Sequence, residues 1–154
     1  DGFYTGTLFH RVISNFVVQA GGYIAGPSEK APTLPAIVLE SNNGLKNLRG
    51  SIAMARTEAF NSATAQFYIN LVDNSDLDYF SAEKPGYAVF GKVVSGLDIV
   101  DEIGKVPTVV QSTALLNLPA SNVVITASTS ARVRVPMYMR RRPSRAKARC
   151  WYSR

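Results

Sequence analysis

The chain has 154 residues, of which 46% are hydrophobic and 18% charged, and its net charge at pH 7 is +6, values that suit one globular domain. Its single cysteine, Cys150, excludes an intramolecular disulfide and a cysteine-based metal site, and its single histidine, His10, excludes a cluster of histidine ligands. No signal peptide is visible, and the apolar runs are shorter than the ~18 residues that a membrane span needs.

Short segments rich in β-branched and aromatic residues predict a mainly β domain. The predicted strands, in chain order, cover residues 7–13, 16–21, 50–55, 65–71, 87–94 and 122–128. Ser14-Asn15 is a turn between the first two strands, and the prolines of 31–40 favour an extended segment over a helix. Gly91 suggests a bulge, and 96–104 predicts a short helix that ends at Gly104. These elements are typical of a small closed barrel or of a sandwich.

A permanent charge lies within the first two predicted strands, in the apolar run FHRVISNFVVQAGG of residues 9–22. Arginine is almost never fully buried without a partner. Arg11 therefore either faces solvent on the strand surface or lines a cavity, where it would meet a polar part of a bound molecule. Phe16 and Gln19 nearby add the mixture of apolar walls and placed polar groups that ligand pockets use.

The strand AQFYINL, residues 65–71, predicts two different faces. Phe67, Ile69 and Leu71 share one face, which can enter a core. Gln66, Tyr68 and Asn70 share the other, which offers two amides and a phenol. Alone, this pattern indicates only a half-buried strand, but together with the segment around Arg11 it is consistent with a pocket.

The sequence lacks the usual constellations for nucleophilic or metal-dependent chemistry. His10 follows Phe9 in a strand and is interpreted as a structural histidine. Asp73, Asp76 and Asp78 form a turn-like cluster without the glycine and distal glutamate of a calcium loop. No glycine-rich phosphate loop is present, which leaves a reaction that needs neither a nucleophile nor a metal.

Three segments resemble successive signature blocks of the cyclophilins, the peptidyl-prolyl cis-trans isomerases. They are FHRVISNFVVQAGG, RGSIAMARTEAFNSATAQFYINL and GYAVFGKVVSGLDIVDEI, and they follow the family's order from about residue 2 to about residue 127. The resemblance is closest to the bacterial type. It implies an antiparallel β-barrel with a capping helix, incomplete at the N-terminus because the family has two strands and a helix before the point matched by Asp1. We therefore expect the sequence to be a fragment of a longer chain.

The resemblance also implies a site. Arg11 matches the catalytic arginine, which would donate a hydrogen bond to the prolyl nitrogen. The positions that match substrate-binding residues are Phe16, Val17, Gln19, Ala55, Arg56, Gln66, Tyr68, Leu77 and Tyr87.

Four positions depart from the common family pattern. Val17 stands where methionine is frequent, which should loosen the pocket, and Tyr68 replaces a phenylalanine and adds a hydroxyl that needs a partner. Tyr87 replaces the histidine of eukaryotic members. Asp76 stands where an aromatic residue is usual, which implies that cyclosporin binds only weakly.

The implied activity is acceleration of rotation about X–Pro bonds, which assists protein folding, with Pro-containing unfolded or flexible polypeptides as substrates. No cofactor is required, and we expect a monomer without membrane attachment. The alternative is a Pro-peptide-binding module in which the truncation loosens Arg11 and impairs catalysis. Bacterial members occur in the cytoplasm and in the periplasm, and a signal peptide would precede residue 1, so either compartment fits.

The last part of the chain differs in composition. Residues 131–154 hold nine of the 17 basic residues and none of the 11 acidic ones, which leaves residues 1–130 with eight basic against 11 acidic residues. We predict an isomerase domain over 1–128 and a basic, disordered tail over 129–154. Attachment of this tail to nucleic acid is the third alternative, and we expect no such role.

Overall fold

The computed structural model describes residues 2–128 and the backbone of residues 149–152. The described residues form nine strands, one α-helix and a short 3-10 helix at Ser75–Leu77. The elements are β1 Thr7–Ile13, β2 Val17–Ile24, β3 Ser28–Glu29, β4 Ser51–Met54, β5 Phe67–Asn70, β6 Val89–Ser95, α1 Leu97–Ile103, β7 Thr108–Val109, β8 Leu118–Pro119 and β9 Arg149–Tyr152.

The main sheet is antiparallel throughout and follows the order β1-β2-β5-β4-β6-β9, with β3 paired to β2. β7 and β8 form a separate pair. The predicted mainly antiparallel β domain with one helix is therefore confirmed. Pairing of β2 with β5 makes neighbours of the two segments that the sequence singled out, around Arg11 and around Gln66.

Two apolar clusters lie on opposite faces of the sheet because adjacent strand residues alternate in direction. The first, which α1 covers, contains Val12, Val18, Ile52, Ile69, Leu71 and Val100. The second contains Val17, Ala53, Tyr68 and Val89. The prediction that Phe67, Ile69 and Leu71 share one face of the strand is correct. Tyr68 and Asn70 on the other face are also buried, at 4% and 0% exposure. The sheet is thus covered on both faces.

Gly91 and Gly104 have different local roles, the first at a strand irregularity and the second at a helix end. The β4–β6 register moves from Ile52 opposite Gly91 to Ala53 opposite Val89, which is the irregularity expected near Gly91. Gly104 follows α1 with an ordinary helical φ of −63°. A Cβ there would lie 2.7 Å from the Leu71 Cδ1 atom, so close packing rather than a left-handed turn favours glycine at the helix end.

The predicted strand at 122–128 is shorter than expected. It forms one bridge, between Val124 and Leu8, and backbone hydrogen bonds join Ile125 to Thr7 and Val123 to Phe9 along the outer side of β1. Of the predicted tail, residues 129–148 and 153–154 lie outside the described residues. Its segment Arg149–Tyr152 forms β9, which pairs with β6.

Candidate active site

A cavity of about 280 Å³ opens over the second apolar cluster. Nine of the ten predicted site residues line it, namely Arg11, Phe16, Val17, Gln19, Ala55, Arg56, Tyr68, Leu77 and Tyr87. The tenth, Gln66, lies behind this lining and is hydrogen bonded to Gln19. Phe16 and Leu77 pack against the cluster, so the floor is apolar while the rim carries two guanidinium groups.

A chain of side-chain hydrogen bonds holds Arg11 at the cavity. Arg11 and Gln19 face each other across β1 and β2, and Arg11 Nη1 donates to Gln19 Oε1 at 3.3 Å. Gln19 Nε2 in turn donates to Gln66 Oε1 at 2.8 Å. The two amides therefore orient the guanidinium from the strand side and leave its remaining N–H groups available to the cavity.

His10 forms the buried end of this chain. Its ring is 3% exposed, and its Nε2 atom lies 3.1 Å from Gln66 Oε1. Because that oxygen already accepts from Gln19, it can only accept from His10 as well, so Nε2 carries the hydrogen and Nδ1 is left buried without a partner of good geometry. Burial lowers the pKa of His10. The Arg11 charge lowers it further, while the Leu8 carbonyl and Gln66 oppose the shift.

We expect His10 to make the fold sensitive to acid. The unfolded histidine takes up a proton as the pH falls below 6.5, whereas the native histidine, with its lowered pKa, stays neutral. The free energy of unfolding should then fall by up to about 1.4 kcal/mol per pH unit below 6.5, until the native pKa is reached. Urea denaturation of the parent and of His10→Gln at pH 7.5 and 5.5 measures this. Parallel losses of stability in the two chains would contradict it.

The glycine pair after Gln19 brings β2 close to the segment that carries Gln66. Gly21 has a φ of +92°, and a Cβ there would lie 2.6 Å from the Ala65 carbonyl oxygen. A Cβ on Gly22 would lie 2.5 Å from Gln66 Nε2. Gly21 excludes a side chain because the close atom belongs to the backbone and φ is positive, whereas a side chain at Gly22 would displace the Gln66 amide. The QAGG segment thus makes room for the amide that orients Gln19.

Sequence reasoning missed Asn47, which supports the cavity from below. This residue is 1% exposed, and its Oδ1 atom accepts from the Tyr68 hydroxyl at 2.7 Å and from Asn70 Nδ2 at 3.2 Å. Its Nδ2 atom donates to the Leu77 carbonyl at 3.0 Å. The hydroxyl of Tyr68 thus has the partner that it was expected to need, and burial raises its pKa so that it remains a donor. Asn47 follows a loop without periodic pattern, and no sequence signal singled it out.

Arg56 forms the opposite rim. Its Nε and Nη2 atoms donate to the Gly86 carbonyl at 3.1 and 2.8 Å, and its guanidinium lies 4.7 Å from the centre of the Tyr87 ring. These contacts fix Arg56 and Tyr87 together as one wall. Asp76, the residue that replaces an aromatic one, is exposed and lies outside this cavity lining.

The described residues contain no group of three His, Cys, Asp or Glu side chains that could hold a metal ion. In the same part of the chain, no helix has the length and apolar character needed to cross a membrane.

The chain that carries this arginine, these two glutamines and this apolar pocket matches a known protein family. The family model described as cyclophilin type peptidyl-prolyl cis-trans isomerase/CLD matches residues 1–129. The chain belongs to this family. Its resemblance to the bacterial type is also confirmed. The Escherichia coli peptidyl-prolyl cis-trans isomerase B is 49% identical over 131 residues, which are 84% of this chain and 79% of that protein.

A second relative and a solved structure agree with this assignment. The peptidyl-prolyl cis-trans isomerase of Acinetobacter baylyi is 54% identical over 108 residues, which are 70% of this chain but only 56% of that protein. A crystal structure of a Cryptosporidium parvum cyclophilin, determined in the presence of the dipeptide Ala-Pro, superposes with a TM-score of 0.61 at 21% identity. The superposition covers 81% of this chain and 74% of the Cryptosporidium parvum chain, which supports the antiparallel β fold described above.

Proposed function

We propose that this protein is a peptidyl-prolyl cis-trans isomerase that acts on X–Pro bonds of unfolded or flexible polypeptides and so assists folding. The observation that carries the proposal is the position of Arg11, whose guanidinium lies at an apolar cavity and is oriented by Gln19 and Gln66. Membership of the cyclophilin family supports it.

The cavity suits a prolyl ring. Phe16, Val17, Leu77 and the ring of Tyr68 supply apolar contact on several sides of a volume of about 280 Å³. Burying a proline there removes apolar surface from water and fixes the peptide beside the arginine. The remaining peptide then lies across the rim formed by Ala55 and Arg56.

The chemistry follows from the electronic structure of the amide. Resonance between the prolyl nitrogen and the carbonyl group gives rotation a barrier of ~18–20 kcal/mol. In the twisted transition state the nitrogen lone pair is no longer delocalised and can accept a hydrogen bond. Arg11 would donate that bond, and the bond accelerates rotation because it is stronger in the twisted state than in the planar ones.

The side-chain amides of Gln19 and Gln66 contribute by orienting Arg11. A free arginine side chain would lose rotamer freedom on engaging the nitrogen, whereas Arg11 is already held by Gln19. A guanidinium also keeps its charge at every working pH. No covalent bond forms or breaks at any step, so the scheme needs no nucleophile.

The test is exchange spectroscopy by NMR on a short peptide that contains one Ala–Pro bond. Uncatalysed exchange takes tens of seconds or longer. We expect a catalytic amount of the chain to bring cis and trans signals into exchange within about a second, without changing their equilibrium ratio. Unchanged exchange at stoichiometric protein would contradict the proposal.

A further inference from the structure

A second and larger cleft adjoins the candidate active site. Its volume is about 520 Å³, and it shares Arg56 and Tyr87 with the proline cavity. A peptide whose proline occupies the cavity can therefore continue over this common wall into the cleft. Adjacent residues of an extended chain are ~3.3–3.6 Å apart, so the cleft lies within reach of the residues that flank the proline.

The wall between the two spaces is rigidly built. Arg56 donates two hydrogen bonds to the Gly86 carbonyl, and its guanidinium lies 4.7 Å from the centre of the Tyr87 ring and 5.4 Å from that of the Phe60 ring. Gly86 is buried with a φ of +62°. Tyr87 N–H donates to the Leu77 carbonyl at 2.9 Å. The cleft is thus a fixed extension of the site, held to the same residues that form the proline pocket.

The charge of the cleft is unbalanced toward acid. Glu58, Asp76 and Glu83 line it with exposed carboxylates, and none of them forms an ion pair with a described residue. The lining also holds two cations, Arg56 and Lys84, so the cleft has one negative charge in excess. Arg56 donates to backbone carbonyls and the Lys84 ammonium lies 6.0 Å from the Phe80 ring, and neither forms an ion pair with a described residue. A cationic group that enters the cleft can meet carboxylates without displacing an existing pair.

We propose that this cleft binds a lysine or arginine side chain of the substrate, near the proline that enters the cavity. The proposal rests on the proposed function, since the peptide is positioned by the proline. The apolar stem of such a side chain would cover the exposed ring of Phe60, while its charged end reaches the carboxylates. Lysine and glutamate peptides should therefore differ in kcat/KM in opposite directions from a neutral reference.

The experiment uses a set of peptides with one Ala–Pro bond. Lysine, glutamine or glutamate replaces alanine singly at each of the positions flanking that bond, and kcat/KM is measured at about 0.02 M and about 0.5 M salt. We expect lysine at one or two neighbouring positions on one side of the proline to exceed glutamine by about threefold at low salt, with glutamate below glutamine. The effect is modest because exposed ion pairs are weak, and high salt should remove it.

Two triple variants locate the effect. In E58Q/D76N/E83Q the preference for lysine should vanish while the all-alanine reference peptide is isomerised at the parent rate. In the control E29Q/E40Q/D98N, which removes the same charge at exposed positions outside the cleft, the preference should persist. Equal rates for lysine and glutamate peptides at every position, or equal losses in both variants, would overturn the subsite alone. Failure of the reference peptide to isomerise would overturn the proposed function and the subsite with it.

Discussion

Arg11→Ala should lower kcat/KM for an Ala–Pro peptide by about a hundredfold or more, the scale expected when one hydrogen-bond donor that acts in the transition state is removed. The variant removes the guanidinium that is hydrogen bonded to Gln19. The apolar lining from Phe16 to Leu77 remains, so weak peptide binding should survive. Activity measured by NMR exchange, together with a chemical-shift titration of the same peptide, separates the two effects.

Arg49→Ala is the matched control for this variant. Arg49 is an exposed arginine whose Nη2 atom is paired with Asp101, and it is not part of the cavity lining. Its removal should leave kcat/KM within about twofold, because an exposed ion pair contributes little. Full activity in Arg11→Ala would show that the proposed mechanism is wrong. A parent chain that binds peptide but does not isomerise it would instead support the binding-module alternative.

The elements that position the site could be predicted because their patterns are local. Residues 7–13 form β1 as expected, the β2 segment begins with β-branched residues, and the β5 segment separates Phe67 and Ile69 from Tyr68 and Asn70 with period two. Chain order and alternation alone could not place Arg11 beside Gln66, since barrel and sandwich remained open. The family resemblance supplied that proximity, and the β2–β5 pairing in the structure shows it.

The missed features depend on contacts between distant parts of the chain. Asn47 is buried, and its hydrogen-bond partners Tyr68, Asn70, Leu77 and Asp78 are 21 to 31 residues away in sequence. The predicted strand at 122–128 is reduced to a bridge because its hydrogen bonds run to β1 at only a few positions. A β-branched composition shows that a segment can form a strand, but the available partner determines its length.

The chain of hydrogen bonds from His10 through Gln66 and Gln19 to Arg11 shows how a buried residue can influence the orientation of the arginine at the cavity. Gln66 Oε1 accepts from both His10 and Gln19, so the histidine tautomer helps to fix which end of the Gln66 amide faces Gln19. Gln19 then presents its own oxygen to Arg11. Gln66 is therefore the residue through which the buried histidine influences the direction of the arginine.

Asn47→Ala should destabilise the protein by about 3 kcal/mol, the upper part of the range for a buried polar group that leaves partners unsatisfied. The substitution removes the acceptor of the Tyr68 hydroxyl and one acceptor of Asn70 Nδ2, and both groups are buried. It also removes one of the two hydrogen bonds to the Leu77 carbonyl, which then keeps only the bond from Tyr87 N–H, so the aliphatic wall of the cavity is held less firmly. Urea denaturation measures the change, and exposed Asn42→Ala is the control, with an expected change within about 0.5 kcal/mol.

A double-mutant cycle distinguishes loss of this network from a simple loss of volume. Tyr68→Phe alone should cost about 1 kcal/mol, because Asn47 Oδ1 keeps only its bond from Asn70. In the Asn47→Ala background the same change should cost nothing or restore stability, since it removes a buried hydroxyl that has lost its acceptor. Additive effects of the two substitutions would show that the hydroxyl and the amide are independent. Non-additivity would establish that the tyrosine at this position of the pocket depends on the asparagine beneath it.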